Sequence, residues 1–401
     1  MQIAHYKRVL KQGLLTLAGL VLAATLTMAQ TIKIGAPLPL TGPLSPEGIK
    51  QKNGYDLWAE QANIKGINVG GKRHKVEIVY YDYQSKTPRA VQLAEKLITS
   101  DKVNFLFSPF GSGATKAASG VSEKYQIPTI AATASSEAVY NQGYKYLFGT
   151  FTPNITLTSP LAKIVKSKSL GTNRVAILAR NDFFPLAIAN VAKKSVADEG
   201  FDVVFFEKYA IGTLDHASAL TQIRAKKPAW IFATGYVNDL ILIRKQMAEL
   251  GVKAPVLTMI AGPAYKEFVE ATGKNAENVS SAAWWHPAVR YKGNDVFGTT
   301  ENYNRLFKAK FGGIPDYTQA SSSASGVILQ MAIEKAGTLD TKKVRDAIAA
   351  LNTETFYGPI RFGANGQVVS LKPPIFQIQN GTQIVIYPKE IKQADMKMGV
   401  K

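Results

Sequence analysis

The chain has 401 residues, which is long enough for two domains that each bury a core of their own. Its 46% hydrophobic and 10% aromatic residues exclude widespread disorder, and the absence of cysteine excludes disulfides, cysteine catalysis and metal sites that use cysteine. The net charge of +19 would suit nucleic acid or a membrane surface, but the basic residues are scattered over predicted helices and form no dense block. We therefore predict a solvated basic surface and no nucleic-acid partner.

Residues 1–29 are predicted to be a secretory signal peptide. Three basic residues precede an uncharged apolar run over residues 14–28, and the small residues Thr27 and Ala29 then provide a cleavage site. The run is shorter than the about 20 residues of a membrane span, which favours cleavage near Ala29 over the alternative of an N-terminal membrane anchor. We predict an exported protein that is not an integral membrane protein. Without the signal peptide, 45 Lys and Arg against 29 Asp and Glu leave a net charge of +16.

Strands and helices alternate along most of the remaining chain. The first set comprises strand 31–36, helix 48–64, strand 76–81, helix 88–99, strand 105–107, helix 114–125 and strand 128–131. The second set comprises helix 155–167, strand 174–179, helix 186–199, strand 203–209, helix 217–226, strand 230–234, helix 239–250, strand 256–259 and helix 264–271. This order, with short connections, predicts an α/β fold whose parallel sheets are covered on both faces. Two sets of similar size predict two lobes of like topology.

The pattern becomes mainly helical after the cluster Trp284-Trp285-His286-Pro287. Predicted helices 301–311, 318–336 and 342–350 are expected to complete one of the two domains and not to form a third one. Residues 358–362 and 374–388 are predicted as strands, the latter with a hairpin turn at Asn380-Gly381. The last residues, 390–401, are predicted to form a polar tail.

The stretch over residues 105–116 ends an apolar strand in a glycine-rich turn that leads into a helix. Free N–H groups and the Ser112 hydroxyl would then lie at a helix N-terminus, where the peptide dipoles favour an anion. This is also the edge at which open α/β sheets bind ligands. The alternative is that Gly111 and Gly113 only make a tight turn. Neither a phosphate loop nor a complete dinucleotide fingerprint is present.

Five segments, spread in order over the chain, carry a resemblance to a known family. They are Lys33-Ile34-Gly35 running to Pro39-Leu40-Thr41-Gly42-Pro43, Tyr81-Asp82, Phe110-Gly111-Ser112-Gly113-Ala114-Thr115, Ala131-Ala132-Thr133-Ala134-Ser135-Ser136, and Phe356-Tyr357-Gly358-Pro359-Ile360-Arg361-Phe362. In this order and spacing they resemble the periplasmic solute-binding proteins of ABC importers, in the branched-chain amino acid (Leu/Ile/Val) binding group. The resemblance runs from residue 31 to about residue 387.

The resemblance implies the type I periplasmic binding fold. Two Rossmann-like lobes with parallel central sheets would be joined by three crossover segments, and hinge closure would capture a ligand in the cleft between them. The N-terminal lobe would comprise residues 31–151 plus 287–360, and the C-terminal lobe residues 152–286 plus 361–389. The crossovers would then fall near residues 151–152, 285–287 and 360–362.

The resemblance also implies ligand-binding residues. The set from the N-terminal lobe is Ser112, Gly113, Ala132, Thr133, Ala134 and Ser135. Ser112 matches a serine that binds the ligand α-carboxylate together with backbone N–H groups of its loop. Ala132 matches a position whose carbonyl faces the ligand amino group, and Ala134 or Ser135 falls at a Thr/Ser position. From the other lobe, Tyr236 matches a cleft tyrosine.

Several departures from the family pattern bear on the ligand. Glu47 stands where these proteins often carry an aromatic residue, and Phe184 stands where they carry a cleft tyrosine. The acidic partner of a ligand ammonium should lie near residues 260–264, and none is present there. Because a buried ammonium without a carboxylate is costly, either Glu47 or Asp182 supplies the charge or the ligand lacks an amino group. With Phe184 and Trp284 near the cleft, an aromatic or aliphatic carboxylate is a candidate ligand.

The resemblance implies a solute-binding component of an ABC transporter, which captures a small carboxylate-bearing ligand and delivers it to permease subunits in the membrane. The alternative is a ligand-sensing protein of the same fold that is not coupled to transport. No nucleophile–base pair and no cluster of metal-ligating residues is identifiable in the sequence. We therefore predict a monomeric binding protein that is not an enzyme and uses no metal or cofactor.

Overall fold

The computed structural model describes residues 31–399, so the predicted signal peptide and its cleavage site lie outside the described residues. The strands are β1 (Ile32–Leu38), β2 (Ile67–Val69), β3 (Lys72–His74), β4 (Val76–Asp82), β5 (Phe105–Phe107), β6 (Thr129–Ala131), β7 (Leu147–Gly149), β8 (Arg174–Arg180), β9 (Asp202–Tyr209), β10 (Trp230–Thr234), β11 (Val256–Ile260), β12 (Val279–Ala282), β13 (Asn352–Thr355), β14 (Gly358–Arg361), β15 (Ile375–Gln379) and β16 (Thr382–Tyr387). The helices are α1 (Ser45–Lys65), α2 (Thr87–Thr99), α3 (Ser112–Tyr125), α4 (Glu137–Tyr140), α5 (Ile155–Lys166), α6 (Phe183–Asp198), α7 (Ala217–Lys226), α8 (Val237–Glu249), α9 (Lys266–Thr272), α10 (Thr300–Phe311), α11 (Tyr317–Ala336) and α12 (Thr341–Ala349). Across residues 31–399, no helix combines the length and the apolar character needed to cross a membrane.

Two mainly parallel sheets form the centres of two lobes. The first sheet has the order β4-β1-β5-β6-β7 and is parallel throughout. The second has the order β16-β15-β12-β11-β10-β8-β9, and only β15 and β16 run antiparallel to their neighbours. The parallel parts of the two sheets, β4-β1-β5-β6-β7 and β9-β8-β10-β11-β12, therefore share one order. When the strands of each part are counted along the chain, the second lies at one edge and is followed by the first, third, fourth and fifth. This order places a ligand crevice beyond the carboxyl ends of the strands. The predicted α/β fold with two like lobes is confirmed.

The helices after residue 299 complete the first lobe, because the long helix α11 packs along α1. The approach of the two helices is very close: the Cβ of an alanine at Gly326 would lie 2.0 Å from the Trp58 ring. Helix α11 begins at a strong signal in the sequence. The Asp316 carboxylate accepts hydrogen bonds from the N–H groups of Thr318 and Gln319, which have no partner within the helix.

Several short elements were absent from the prediction. The hairpin of β2 and β3 turns at Gly70 and Gly71, which both have positive φ angles of 58° and 90°. A Gly-Gly pair between strands is a recognised hairpin signal. Strands β7, β12 and β13 have only three or four residues each, too few for a period to emerge from the sequence.

The third crossover is predicted near residues 360–362, and beyond that position the chain still makes contacts with the first sheet. Gln367 pairs in parallel with Gly149, the last residue of β7. The Gly149 N–H donates to the Gly366 carbonyl at 2.9 Å, and the Val368 N–H donates to the Gly149 carbonyl at 3.0 Å. The segment after β14 therefore still belongs to the edge of the first sheet. We propose that the chain crosses to the second lobe between Val368 and Ile375.

The C-terminal residues that the structure describes are bound to the second sheet rather than forming a free polar tail. Gln377 and Gln379 on β15 donate from their side chains to the carbonyls of Lys397 and Asp395, at 2.8 and 2.9 Å. Met396 is buried between these contacts. Composition does not reveal these contacts, because the partners are glutamine side chains on another strand.

Candidate ligand-binding site

A cavity of about 310 Å³ lies between the two lobes. Its lining residues are Phe110, Gly111, Thr133, Ser135, Phe151, Phe184, Tyr236, Ala261, Trp284 and Tyr317. All of them except Tyr317 lie in segments that follow the carboxyl end of a parallel strand. The cavity thus occupies the crevice that the topology predicts.

Aromatic rings form most of the cavity wall. They are Phe110, Phe151, Phe184, Tyr236, Trp284 and Tyr317, and each is at most 7% exposed. Trp284 is central to this wall: its ring stacks on Phe151 at 4.2 Å and meets Phe184 edge-on at 5.9 Å. The indole N–H of Trp284 donates to the Thr152 carbonyl at 3.0 Å, which fixes the ring beside residue 152. The wall is therefore rigid and suited to a flat apolar group.

The polar atoms of the cavity come from the loops after β5 and β6. The Gly111 N–H donates to Thr133 Oγ1 at 3.1 Å. Ser135 is 1% exposed, and its Oγ has no hydrogen-bond partner. Since an unsatisfied buried hydroxyl costs about 1–3 kcal/mol, this atom indicates where a polar group of a ligand would bind. None of the described residues that line the cavity carries a charged side chain.

Ser112, the predicted carboxylate ligand, is fully buried behind the cavity wall. Its Oγ accepts hydrogen bonds from the N–H groups of Ser135 and Ser136 at 3.2 and 3.3 Å. Both lone pairs of the hydroxyl are therefore used to hold the loop after β6, and only its proton is left to donate. Gly113 faces the other lobe, where a Cβ in its place would lie 3.3 Å from the Cβ of Phe183.

Two backbone carbonyls of the same loop are already bonded within the protein. The Ala132 carbonyl accepts from Ser321 Oγ at 2.5 Å and from Thr150 Oγ1 at 3.3 Å. The Ala134 carbonyl accepts from the Tyr140 hydroxyl at 2.8 Å. Neither Ala132 nor Ala134 lines the cavity. The expectation that the Ala132 carbonyl faces a ligand amino group therefore differs from the observed arrangement.

Asp182 caps helix α6 instead of entering the cavity. Its Oδ1 accepts from the Phe183 N–H at 2.7 Å, and its Oδ2 lies 3.4 Å from Nε of Arg180. A carboxylate at this position satisfies a free N–H group and complements the helix dipole. The local sequence explains the placement, because Asp182 directly precedes the first residue of the helix.

We expect Asp182→Ala to lower the free energy of unfolding by about 1 kcal/mol, through loss of the helix cap, and to leave ligand affinity unchanged. Denaturant unfolding measures the first effect, and calorimetric titration with the best ligand from the panel described below measures the second. Asp340→Ala is the matched control, because Asp340 caps the remote helix α12 by accepting from the Lys343 N–H at 2.8 Å. A tenfold loss of ligand affinity in Asp182→Ala, but not in Asp340→Ala, would show that the Asp182 carboxylate takes part in ligand binding.

Contacts across the cleft hold the lobes together. Lys50 on α1 pairs with Glu267 on α9 of the second lobe at 2.8 Å and with Asp316 of its own lobe at 3.1 Å. Burial alone lowers the pKa of the Lys50 ammonium, but the adjacent Asp316 and Glu267 carboxylates outweigh it and hold the pKa above its ordinary value. The Tyr265 hydroxyl of the second lobe donates to the Tyr317 hydroxyl at 2.7 Å. The lobes are therefore in a closed arrangement.

Glu47 also lies at this lobe interface and does not line the cavity. It is 1% exposed in the first turn of α1, and its Oε1 accepts a long hydrogen bond of 3.4 Å from the Val237 N–H at the start of α8. Its Oε2 has no partner. Burial raises the pKa of the Glu47 carboxyl to about 7. The two acids predicted as alternative partners of a ligand ammonium thus both lie outside the cavity wall.

Tyr236 is held in place from behind by a charged pair. Arg180 bonds Asp239 at 2.7 Å, and its guanidinium carbon lies 5.1 Å from the centroid of the Tyr236 ring. The Tyr236 N–H donates to the same Asp239 carboxylate at 3.0 Å. Burial raises the pKa of Tyr236 well above its ordinary value, so its hydroxyl stays protonated. It can therefore donate a hydrogen bond in the cleft.

Of the residues predicted for the site, Thr133, Ser135, Phe184, Tyr236 and Trp284 line the cavity. Sequence reasoning missed Phe110, Gly111, Phe151, Ala261 and Tyr317 as lining residues. The first four follow the carboxyl ends of parallel strands, where open α/β sheets bind ligands, and this rule could have identified them. Ala261 has a φ of 87°, an unusual angle for alanine that is often found at functional sites. Tyr317 begins a helix, and nothing local in the sequence distinguishes it.

Comparison with known proteins places these features in context. A sequence model described as periplasmic binding protein matches residues 31–383. The leucine-, isoleucine-, valine-, threonine- and alanine-binding protein of Pseudomonas aeruginosa is 25% identical over 349 residues, which cover 84% of this chain and 87% of that protein.

Two solved structures share the fold of the chain. The branched-chain amino acid transporter substrate binding protein LivJ of Streptococcus pneumoniae, in complex with isoleucine, matches with a TM-score of 0.79 and 24% identity, over 90% of this chain and all 100% of that one. A solute binding protein of an ABC transporter from R. palustris, in complex with benzoate, matches with a TM-score of 0.75 and 20% identity, over 91% of this chain and 99% of that one.

Proposed function

We propose that this chain, which belongs to the periplasmic binding protein family, captures a small aromatic or aliphatic carboxylate that lacks an amino group. After export to the periplasm, it would deliver this ligand to the permease subunits of an ABC transporter. The observation that carries the choice of ligand is the make-up of the cavity wall, in which six aromatic side chains occur without a charged one. The fold alone does not distinguish the two classes of ligand, because one protein of this fold was solved in complex with isoleucine and another in complex with benzoate.

The absence of an acidic residue from the described cavity wall argues against an amino acid. An ammonium enclosed by aromatic rings would gain some cation–π energy, but it would lose its hydration without a carboxylate to replace it. Asp182 is used as a helix cap, and the Ala132 carbonyl is bonded to Ser321 and Thr150. Two of the groups that could have served an ammonium are thus already in use, and a third, Glu47, does not line the cavity.

A ligand carboxylate is better provided for beside Gly111. Helix α3 directs its free first-turn N–H groups toward the end where Gly111 lies, and its dipole favours a negative charge there. The unpartnered hydroxyl of Ser135 can donate to the same carboxylate. An apolar body against Phe184 and Trp284 would then complete the ligand, as small-molecule sites generally combine apolar walls with a few placed donors.

We expect amine-free carboxylates to stabilise the purified mature chain against heat, whereas the matching amino acids do not. The panel pairs leucine with 4-methylpentanoate and phenylalanine with 3-phenylpropanoate, and adds benzoate; each pair differs only in the amino group. A ligand at 100 times its dissociation constant adds about 2.7 kcal/mol to the free energy of unfolding, which raises the melting temperature by a few degrees.

The matched pairs make the result decisive. A shift with leucine or phenylalanine but not with its amine-free partner would contradict the proposal and would require an acidic partner for the ammonium. If no member of the panel raised the melting temperature, the proposal that the ligand carries a carboxylate would be contradicted. Lactate, which carries a carboxylate on a small polar body, serves as the control for nonspecific anion effects.

A further inference from the structure

We propose that closing of the two lobes is coupled to protonation of Glu47, so that the closed form is favoured as the pH falls. The consequence for ligand capture rests on the proposed function, whereas the coupling itself concerns the lobes alone. Glu47 is the titratable group best placed for such a role, because it sits in the first turn of α1 in one lobe and contacts the start of α8 in the other.

The surroundings of Glu47 offer little that would keep a negative charge there. Titratable or charged groups face it from both lobes: Lys50, Tyr83 and Tyr317 from the first, and Tyr236, Asp239 and Tyr265 from the second. Lys50 is the only cation among them, and its ammonium is bonded to Glu267 and Asp316. Asp239 repels a second negative charge. Among the described residues, the carboxyl group is held by the backbone N–H of Glu47 itself and by the long hydrogen bond from the Val237 N–H, and Oε2 has no partner.

Parting of the lobes changes this environment. The start of α8 moves away from α1, and the carboxyl group of Glu47 meets water in the cleft. It then regains the ordinary pKa of about 4.5, whereas burial in the closed form raises the pKa to about 7. A buried carboxylate with one unpartnered oxygen is costly, and a neutral carboxylic acid at the same place is far less so.

The sign of the effect follows from proton linkage. An acid with a higher pKa in the closed form makes that form bind more protons, so closing is favoured below about pH 7 and loses this advantage as the pH rises through 7. With pKa values of about 4.5 and 7, the ratio of closed to open molecules falls about 30-fold between pH 5.5 and 8.5. His286, a buried neighbour of the cleft, has a pKa of about 4 because of its burial and does not titrate in this range.

The experiment measures the distance between the lobes without any ligand. Because the chain has no cysteine, two introduced cysteines can be spin-labelled without background: Ala117→Cys on α3 and Asn190→Cys on α6, which are both exposed and lie on opposite sides of the cleft. Pulsed electron spin resonance then gives the distance distribution at pH 5.5 and pH 8.5. We expect a larger fraction of long distances at pH 8.5.

Two variants in the same labelled background identify the group. Glu47→Gln keeps the neutral shape of the protonated acid and should remain mostly closed at both pH values. Glu267→Gln weakens the Lys50 contact across the cleft and should open the lobes at both values while keeping their pH dependence. The proposal is overturned if the unsubstituted protein gives the same distribution at both pH values, or if Glu47→Gln responds to pH as that protein does.

Two further measurements keep the outcome separate from the question of the ligand. Infrared difference spectra between the two pH values should show a protonated carboxyl band that is lost as the pH rises. This difference band should be missing in Glu47→Gln. The same band in Glu47→Gln would contradict the assignment to Glu47. If 3-phenylpropanoate binds, its dissociation constant should rise from pH 5.5 to 8.5 in the unsubstituted protein, by at most about 30-fold, and stay constant in Glu47→Gln. Failure of every carboxylate to bind would contradict the proposed function, whereas the distance measurement would still decide the role of Glu47.

Discussion

Phe184→Ala is expected to weaken ligand binding by about 10- to 100-fold, because removal of a buried phenylalanine ring costs about 1.5–3 kcal/mol of apolar contact. Phe184 is 7% exposed, and its ring lies 5.9 Å from that of Trp284 and 6.2 Å from that of Tyr236. Its loss opens the wall that the ligand body would contact. Calorimetric titration with the best carboxylate of the panel measures the change.

Phe206→Ala is the matched control for this substitution. Phe206 is a half-buried phenylalanine on β9 of the same lobe, where it packs under Lys193 and does not line the cavity. It should cost stability without changing affinity. Phe184→Leu, which keeps an apolar side chain, should recover part of the lost binding. If Phe184→Ala binds the ligand as tightly as the unsubstituted protein does, the aromatic wall is not the ligand surface.

Gly54→Ala is expected to destabilise the protein by about 3 kcal/mol, because it forces apart two closely packed helices. The added Cβ would lie 2.2 Å from the backbone oxygen of Gln319 and 2.7 Å from Cβ of Ser322 on α11. Alanine would gain about 1 kcal/mol in helix propensity over glycine, but a clash with backbone cannot be relieved by a change of side-chain rotamer. The clash therefore prevails, and thermal unfolding should show a drop of several degrees.

Gly313→Ala tests whether the effect of Gly54→Ala comes from packing. Nothing lies within 4 Å of a Cβ at Gly313, and its φ lies outside the positive region. The substitution should change the free energy of unfolding by less than about 0.5 kcal/mol, or raise it slightly by restricting the unfolded chain. Increased stability in Gly54→Ala would contradict the close approach of α1 and α11.

The sequence predicted the large elements well because their signals are local. The run from Trp230 to Thr234 is a buried parallel strand, and residues 88–99 were predicted as a helix because their apolar positions repeat with the helical period. The three-residue strand Leu147–Gly149 escaped notice because its identity depends on pairing with β6. Pairing across the chain, rather than local preference, also decides where Gly366 and Gln367 lie.

The site was predictable in location and only partly in detail. Thr133, Ser135 and Tyr236 were predicted from the family resemblance, and they line the cavity. The role of Ser112 could not be foreseen, since its hydroxyl is bonded to N–H groups of residues that lie more than 20 positions further along the chain. Glu47 was expected beside a ligand, yet the packing of α1 against α8 places it between the lobes. Such outcomes depend on tertiary distances that sequence spacing does not contain.

The distribution of the cavity wall over both lobes has a kinetic consequence. Phe110 and Tyr317 belong to one lobe, Phe184 and Tyr236 to the other, and all four are at most 7% exposed. A molecule enclosed by them can leave only when the lobes part, so its dissociation rate cannot exceed the rate of opening. Substitutions at the interface that leave the wall intact, such as those of Lys50 or Glu267, should therefore shorten the residence time of a ligand while its association rate stays nearly constant. The time for which a solute is held is thus set partly by residues that never touch it.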